Sequence, residues 1–314
     1  MLALHMHNTI LITGGTGLVG TYLTHKLLAL NYTIHYYTRT IPLAHQQLKG
    51  VQYFTWNPAA GTYDAAALQG VSSIINLAGA GVADQRWTPS RKQVILESRT
   101  NSAATLTKAL LETKHEVHTI IQASATGWYY AEGTIGNTYP NAYQEAEPAH
   151  NDFLGTTCQA WEAGIQALKY LPISICTVRI GIVLSSSGGM VKELMLPMKL
   201  KVLPIFGNGK QLVPWVHIQD LAGIMLYAIQ HKITGTYNAV ANSTPQKVLV
   251  KHIAKALNLN TWLAIPIPEF LLKIILGEMT IELIKSVNVS NKKIIDAGYV
   301  FKYNHVQAID QLSS

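Results

Sequence analysis

The stretch Thr13-Gly-Gly-Thr-Gly-Leu-Val-Gly20 lies directly after a short apolar run, Thr9–Thr13, and opens a segment of helical periodicity, Leu18–Leu30. The pattern predicts a strand, a tight glycine turn and a helix. Such a turn needs glycine where the backbone bends, where it approaches a pyrophosphate and where helix and strand pack closely, and the helix N-terminus attracts anionic groups. Because the turn has this strand–helix context, it predicts a dinucleotide site, with Gly14, Gly17, Leu18 and Val19 as contacts. A glycine turn without a ligand is the alternative.

The same alternation of strands and helices continues along the chain. The predicted strands are Thr9–Thr13, Thr33–Tyr37, Val51–Thr55, Ser73–Leu77, Thr119–Ala123 and Ile173–Ile180, and the predicted helices between them are Leu18–Leu30, Pro89–Glu112 and Gly155–Leu168. Strand–helix–strand repeats, with strands that are continuously apolar, favour an α/β fold with a parallel sheet covered on both faces. The sequence therefore predicts a Rossmann-type, doubly wound sheet.

The alternation fades after about Ser185. We expect a Rossmann domain over 8–184, with 215–240 returning to it, and a smaller, mainly helical substrate domain formed by 185–214 and 241–314. Further helices are predicted at Gln219–His231, Gln246–Leu257 and Pro268–Leu276. A polar stretch from Tyr129 to Asn151 reads as a long loop, and loops of that length are usually functional or mobile.

The end of the second predicted strand bears on the choice of cofactor. An acidic residue about 20 positions after the glycine turn favours NAD, whereas an arginine accepts the 2′-phosphate of NADP. Here the strand ends in Thr38 and Arg39, and the first carboxylate of the chain is Asp64. The sequence therefore predicts NADP, with NADPH preferred over NADH. A solvated arginine without a ligand is the alternative.

Two further strands place small and polar residues at the same edge of the sheet. One strand ends in the stretch Asn76-Leu-Ala-Gly79, and the next ends in the stretch from Ser124 to Tyr129. Ligands of open α/β sheets bind outside the carboxyl ends of the strands. These residues are therefore expected beside the cofactor and the reacting atoms.

These motifs resemble the extended short-chain dehydrogenase/reductase superfamily. More narrowly, the chain resembles its atypical sugar-nucleotide epimerase family proteins, which carry a C-terminal domain of unknown function. Stretches that carry the narrower resemblance include Asn76–Gly79, Arg86-Trp87, Ser98-Arg99, Ser124–Tyr129, Trp161-Glu162, Gly207–Gln211 and Trp215–Ile218. The resemblance covers essentially the whole chain, and it implies an NADP-binding fold with Thr38, Arg39, Leu77, Ala78 and Arg99 near the cofactor.

The resemblance does not extend to the superfamily's usual catalytic pair, a Tyr with a Lys four residues later. The corresponding helix carries Cys158 and Glu162 instead. A carboxylate raises the pKa of a neighbouring phenol or thiol, where an ammonium lowers it. Ser124 as the carbonyl-polarising group and Tyr129 as the acid/base are the leading candidates, with Tyr130 and Tyr143 as substitute acids and Cys158 as a poorly activated thiol. A tyrosine that only stacks on the ligand or the core is the alternative reading.

The resemblance also implies that the loop Gly207–Gln211 borders the substrate. Gln211, Trp215 and His217 are therefore expected to line the substrate pocket, although a hydrogen-bonded packing role for His217 is the simpler reading. The run His115-Glu-Val-His118 lacks the spacing of a zinc-protease motif, because position 119 is Thr. We therefore expect no metal site.

Composition excludes other classes of function. There are 24 Lys and Arg against 17 Asp and Glu, a net charge of +7, but charged residues make up only 13% of the chain and form no basic cluster. Nucleic-acid binding and a membrane span are therefore not expected. Two cysteines and no signal-peptide pattern favour a reducing, cytoplasmic location.

The leading function is an NADP(H)-dependent oxidoreductase or epimerase that acts on a small carbonyl- or hydroxyl-bearing molecule, nucleotide sugars included. An oligomer is compatible with the sequence. The missing Tyr/Lys pair supports the alternative, a non-catalytic NADP(H)-binding redox sensor or scaffold.

Overall fold

A computed structural model describes residues 8–129, 142–259 and 263–304 of the chain. The strands are β1 (Thr9–Thr13), β2 (Thr33–Thr38), β3 (Val51–Asn57), β4 (Thr62–Tyr63), β5 (Val71–Asn76), β6 (Thr119–Ala125), β7 (Ser174–Ile180), β8 (Ile182–Leu184), β9 (Val202–Phe206), β10 (Leu212–His217), β11 (Gly235–Ala239), β12 (Asn242–Pro245) and β13 (Leu263–Ile267). The helices are α1 (Leu18–Ala29), α2 (Pro89–Glu112), α3 (Phe153–Ala163), α4 (Gly189–Lys199), α5 (Ile218–His231), α6 (Gln246–Ala256), α7 (Glu269–Leu276), α8 (Ile281–Ile284) and α9 (Lys292–Asp296).

The largest sheet has eight strands in the order β11-β7-β6-β5-β1-β2-β3-β4. All neighbours are parallel except β3 and β4, which are antiparallel. The chain moves outward from β1 in one direction to β2 and β3, and then returns to β5 on its other side. Connections that leave in opposite directions open a crevice at the carboxyl ends of the two central strands. The glycine turn lies at this crevice.

Helices cover both faces of the sheet, because successive side chains of a strand point to opposite sides. Ile10 and Ile12 of β1 pack in one apolar cluster with Leu23 of α1. Leu11, between them in sequence, belongs to a second cluster with Leu106 of α2. All five side chains are completely buried. The predicted doubly wound α/β fold is therefore confirmed.

The region after β8 combines helices with short strands. The strands β9 and β13 form a parallel two-stranded sheet, and β8, β10 and β12 form a third sheet. The helices α4 and α6 pack on β9. This region is helical, as expected, but the β9–β13 pair was not predicted, because its two strands lie far apart in the sequence.

Several predicted boundaries shift by a few residues. The strand β6 continues to Ala125 because Ser124 and Ala125 pair with Arg179 and Ile180 of β7. The helix α3 begins before Gly155, whose amide is capped by the Asp152 carboxylate at 2.7 Å. Within the predicted loop 129–151, residues 130–141 lie outside the described part of the chain, and the candidate Tyr130 is one of them. Residues 305–314 of the predicted second domain lie outside it as well.

Candidate functional site at the carboxyl edge of the sheet

The glycine turn is held in a conformation that side chains would obstruct. Gly14 has a φ of +68°, and a Cβ atom there would lie 2.9 Å from the backbone of Leu77. A Cβ atom on Gly20 would lie 2.4 Å from the carbonyl oxygen of Gly14. Both positions therefore require glycine, one for its backbone conformation and both for close packing.

The turn leads into a helix whose N-terminus is open to a ligand. The cap residue of α1 is Gly17, which has no side chain to accept the first amides, and the first turn contains no acidic residue. Unpaired amides and the helix dipole make such an end attractive to phosphate. The predicted contacts Gly17, Leu18 and Val19 form this end.

Tyr36, which the sequence analysis did not identify as a site residue, supports the glycine turn through Gly15. The Tyr36 hydroxyl of β2 donates to the carbonyl oxygen of Gly15 at 3.0 Å, and its ring occupies the space that a Cβ on Gly15 would need. The signal that could have identified Tyr36 was its position on a buried strand directly beside β1. The turn is thus held by β1, from which it continues, and by Tyr36 of β2.

Arg39 follows β2 and faces a small cavity of about 360 Å³ at the side of the sheet. The cavity is also lined by Thr55 and Trp56 of β3 and by Asp64. Thr38, the other residue predicted here, donates from its hydroxyl to the Thr40 carbonyl at 2.8 Å. Arg39 is exposed, so its guanidinium is accessible at the rim of this cavity.

The residues after β5 are tied to β1. The Thr13 hydroxyl oxygen accepts the amides of Leu77 at 3.2 Å and of Ala78 at 3.1 Å. The Arg99 side chain of α2 lies against Gly79 and donates to the carbonyl oxygen of Ala80 at 3.0 Å. Burial lowers the pKa of Arg99. The predicted residues Leu77 to Gly79 therefore lie beside the turn, and Arg99 holds their loop in place.

The two predicted catalytic residues belong to a buried polar network. The Ser124 hydroxyl donates to Oε1 of Glu162 at 2.6 Å. Arg179 binds the same carboxylate with two nitrogens, at 2.9 and 3.1 Å, and donates to the Tyr129 hydroxyl at 3.2 Å. That hydroxyl donates in turn to Oδ1 of Asn238 at 2.6 Å. Ser124 and Tyr129 are thus connected through Glu162 and Arg179.

Burial and ion pairing set the protonation state of the side chains in and beside this network. Burial raises the pKa of Tyr129 to about 12, against the opposing effect of Arg179, so its phenol is neutral near pH 7. Burial disfavours the charge on Arg179, but bonding to Glu162 outweighs this and raises the pKa of the guanidinium. The guanidinium also stacks on Trp128, 3.6 Å from the ring centre. Burial, followed by the charge on Glu162, raises the pKa of Cys158 to about 11, so Cys158 is a thiol.

A large cavity of about 1470 Å³ opens beside the glycine turn. The turn and α1 contribute Gly17, Leu18, Tyr22 and His25 to its wall, and the opposite wall comes from the loop after β8, α4, β9, β13 and the segment around α8. Ser124 and Tyr129 are not among the lining residues. Sequence reasoning missed the loop after β8, although its Gly188-Gly189 pair was a usable signal.

The three predicted substrate residues are buried behind this wall. Gln211 donates from Nε2 to the carbonyl oxygens of Phe206 and Leu283, at 3.1 and 2.8 Å, and both of those residues line the cavity. Trp215 donates from Nε1 to the Thr244 hydroxyl at 2.9 Å. Gln211 thus positions wall residues without touching the cavity itself.

His217 caps the helix α5. Its Nδ1 accepts the amide of Gln219 at 3.2 Å, and its ring stacks on Tyr303 with 3.9 Å between ring centres. Burial lowers the pKa of His217 to about 4, so it is neutral at pH 7. In this arrangement the histidine acts in packing and helix capping.

No group of three or more His, Cys, Asp or Glu side chains that could hold a metal ion occurs within residues 8–129, 142–259 and 263–304. Over the same ranges, each helix is too short or too polar to cross a bilayer.

A parallel sheet covered on both faces, with a glycine turn leading into an open helix end at its central crevice, defines a Rossmann-type dinucleotide-binding protein. The chain belongs to the NAD dependent epimerase/dehydratase family, whose model matches residues 10–240. Residues 267–309 match a domain of unknown function, DUF1731. The predicted family resemblance is therefore confirmed, and membership indicates an NAD(P)-dependent protein of the epimerase and oxidoreductase type.

Relatives match along nearly the whole chain. The epimerase family protein YfhF of Bacillus subtilis (strain 168) is 32% identical over 307 residues, covering 96% of this chain and 97% of the relative. The crystal structure of human epimerase family protein SDR39U1 (isoform 2) with NADPH has a TM-score of 0.82 at 25% identity, covering 96% of this chain and 98% of the human chain. UDP-glucose 4-epimerase from Thermus thermophilus, in complex with NAD, has a TM-score of 0.71 at 15% identity over 97% of this chain and 98% of that chain, a likeness of fold alone.

Proposed function

We propose that the protein is an NADP(H)-dependent oxidoreductase or epimerase that acts on a small carbonyl- or hydroxyl-bearing molecule in the cavity of about 1470 Å³ beside the glycine turn. The observation that carries the proposal is the open N-terminus of α1, whose residues Gly17 and Leu18 line that cavity. Gly17, Leu18 and Val19 at this end would hold the pyrophosphate of the cofactor. When bound, NADP(H) would supply a hydride to a carbonyl carbon or accept one from a carbinol carbon.

The residues present fit NADP(H) in two respects. The start of α1 has no side-chain cap on its amides and no acidic side chain in its first turn, which suits the pyrophosphate. At the end of β2, Arg39 is an exposed guanidinium beside a cavity, suited to a 2′-phosphate. That human SDR39U1 was crystallised with NADPH supports the choice of NADP(H). We assign the cofactor to the domain 8–184 with 215–240, and the outer wall of the substrate cavity largely to 185–214 and 241–314.

The cofactor proposal is tested with Arg39→Ala. A charge-assisted hydrogen bond contributes about 1.5–3 kcal/mol, and exposure of Arg39 favours the lower end, so NADPH affinity should fall about ten-fold. NADH affinity should stay unchanged, because NADH has no 2′-phosphate. Lys49→Ala, which removes another exposed cation, serves as the control. Equal affinity of the wild-type protein for NADPH and NADH would refute the role of Arg39.

For catalysis we keep Ser124 as the carbonyl-polarising group and Tyr129 as the acid/base. The proposal is supported by their position in the chain, since Ser124 is the last residue but one of β6 and Tyr129 follows four residues after the end of that strand. Neither residue lines the cavity, and their hydroxyls donate to Glu162 and Asn238. Either role therefore requires a rearrangement that opens this network to the cavity and exchanges these bonds for bonds to the substrate. Loss of turnover in Ser124→Ala or Tyr129→Phe with NADPH affinity intact would support the assignment.

A second candidate function is a non-catalytic NADP(H)-binding sensor or scaffold. The observation that favours it is the Glu162–Arg179 pair, which occupies Ser124 and Tyr129 together in a buried network. Absence of hydride exchange across a broad panel of carbonyls and sugar nucleotides, with NADPH bound, would favour the sensor.

A further inference from the structure

The wall of the large cavity away from the glycine turn is mostly apolar. Met190 and Leu194 of α4, Phe206 of β9, Ile267 of β13 and Met279 before α8 contribute to it. These side chains come from four separate segments that meet around one space. Such a surface is stabilised by contact with a hydrocarbon.

The charges on the wall do not suit a diphosphate. Lys192 is the only lysine or arginine among the residues that line the cavity in the described part of the chain, and it is exposed on α4. Three carboxylates accompany it, those of Asp84, Glu193 and Glu282. Away from the open end of α1, desolvating a second diphosphate would require paired cations, and this wall supplies one exposed lysine.

Two of these carboxylates are already paired within the protein. Glu282 lies 2.7 Å from Lys285, and Asp84 lies 3.4 Å from Arg91. The charges of Lys285 and Arg91, the cations in these two pairs, are therefore partly neutralised. An anionic substrate could use Lys285 or Arg91 only by breaking these pairs.

The cavity is also larger than a single ligand needs. Ligand pockets commonly measure about 300–1,000 Å³, and this cavity measures about 1470 Å³. It can therefore hold part of the cofactor together with a second molecule of considerable size.

We infer that the substrate is an uncharged ketone, aldehyde or alcohol with an extended hydrocarbon body, and that it is not a nucleoside diphosphate sugar. This inference rests on the proposed function for the reaction, but its binding chemistry depends only on the cavity. It narrows the substrate class that the family membership leaves open.

The experiment measures the binding of straight-chain alkan-2-ones, from pentan-2-one to undecan-2-one, by calorimetry with and without NADPH. Each methylene buried contributes about 0.8 kcal/mol, which corresponds to about four-fold in Kd. We expect Kd to fall by about this factor per added carbon until the cavity is filled, and UDP-glucose to show no binding. A Kd independent of chain length, or UDP-glucose binding more tightly than undecan-2-one, would overturn the inference.

The two proposals fail separately. If the wild-type protein does not bind NADPH, the proposed function is refuted, while the ketone series without NADPH still reports on the cavity. If NADPH binds and the ketone series is flat, the cofactor assignment stands and the substrate class is wrong.

A pair of matched variants locates the site. Ile267 lines the cavity and is half-buried, whereas Ile274, on α7, is 66% exposed and does not line it. Ile267→Asn should weaken nonan-2-one binding about ten-fold and leave the NADPH Kd unchanged, and Ile274→Asn should change neither. Should Ile267→Asn fail to fold, Met279→Gln makes the same test with an unbranched side chain. Equal effects of the inner and outer substitutions would contradict the assignment of this cavity.

Discussion

Replacing Glu162 with Gln should destabilise the protein far more than an ordinary carboxylate-to-amide change. Its carboxylate binds Arg179 through both oxygens and accepts the Ser124 hydroxyl. Arg179 is 3% exposed, so its charge would remain buried without a counter-ion. Breaking a buried ion pair in this way costs about 3–5 kcal/mol.

The expected change in melting temperature follows from chain length. Unfolding entropy is about 2.1 cal/mol/K per residue, and the chain has 314 residues. A loss of about 3–5 kcal/mol then lowers Tm by about 5–8 °C. Thermal unfolding at pH 7, followed by circular dichroism, measures this shift directly.

Glu97→Gln provides the control, because Glu97 is exposed on α2 and accepts a hydrogen bond from Gln93. This change should alter stability by less than about 0.5 kcal/mol. The double variant Glu162→Gln with Arg179→Met should recover part of the loss, since it removes the unpaired charge as well. A Tm for Glu162→Gln within about 2 °C of the wild type would refute the view that this pair is buried and coupled.

Two further predictions concern pH and the glycine turn. The pKa of His217 is about 4 in the folded protein, below its value of about 6.5 in an unfolded chain. The unfolded state therefore binds more protons between these values, so the stabilisation is complete above about pH 6.5 and is lost towards pH 4. His217→Asn, which keeps a capping side chain, should flatten the fall in Tm between pH 7 and 5. The control His45→Asn, at an exposed site, should leave the fall in Tm as in the wild type. Identical slopes of Tm against pH for all three proteins would contradict the role of His217. Gly20→Ala places a methyl group 2.4 Å from the Gly14 carbonyl oxygen, so calorimetry should detect no NADPH binding, and a normal Kd would show that the turn can open at little cost.

Local pattern was sufficient for much of the fold. The helix Pro89–Glu112 has the predicted bounds, because a proline at its first position and a long apolar periodicity lie within the segment itself. The glycine turn is equally local, since strand, turn and helix adjoin in sequence. The predicted end of β6 was two residues short, because the strand is extended by pairing with β7, which lies elsewhere in the sequence.

The sequence by itself determined the Rossmann-type fold, the position of the glycine turn and the place of Arg39 directly after β2, because each depends on residues close together along the chain. Only the tertiary structure decided what surrounds Ser124 and Tyr129, since Glu162, Arg179 and Asn238 come from distant segments. The apolar cavity likewise exists only where β9 and β13 pair. Periodicity shows which side chains are buried, but contacts between remote segments arise only when the chain is packed.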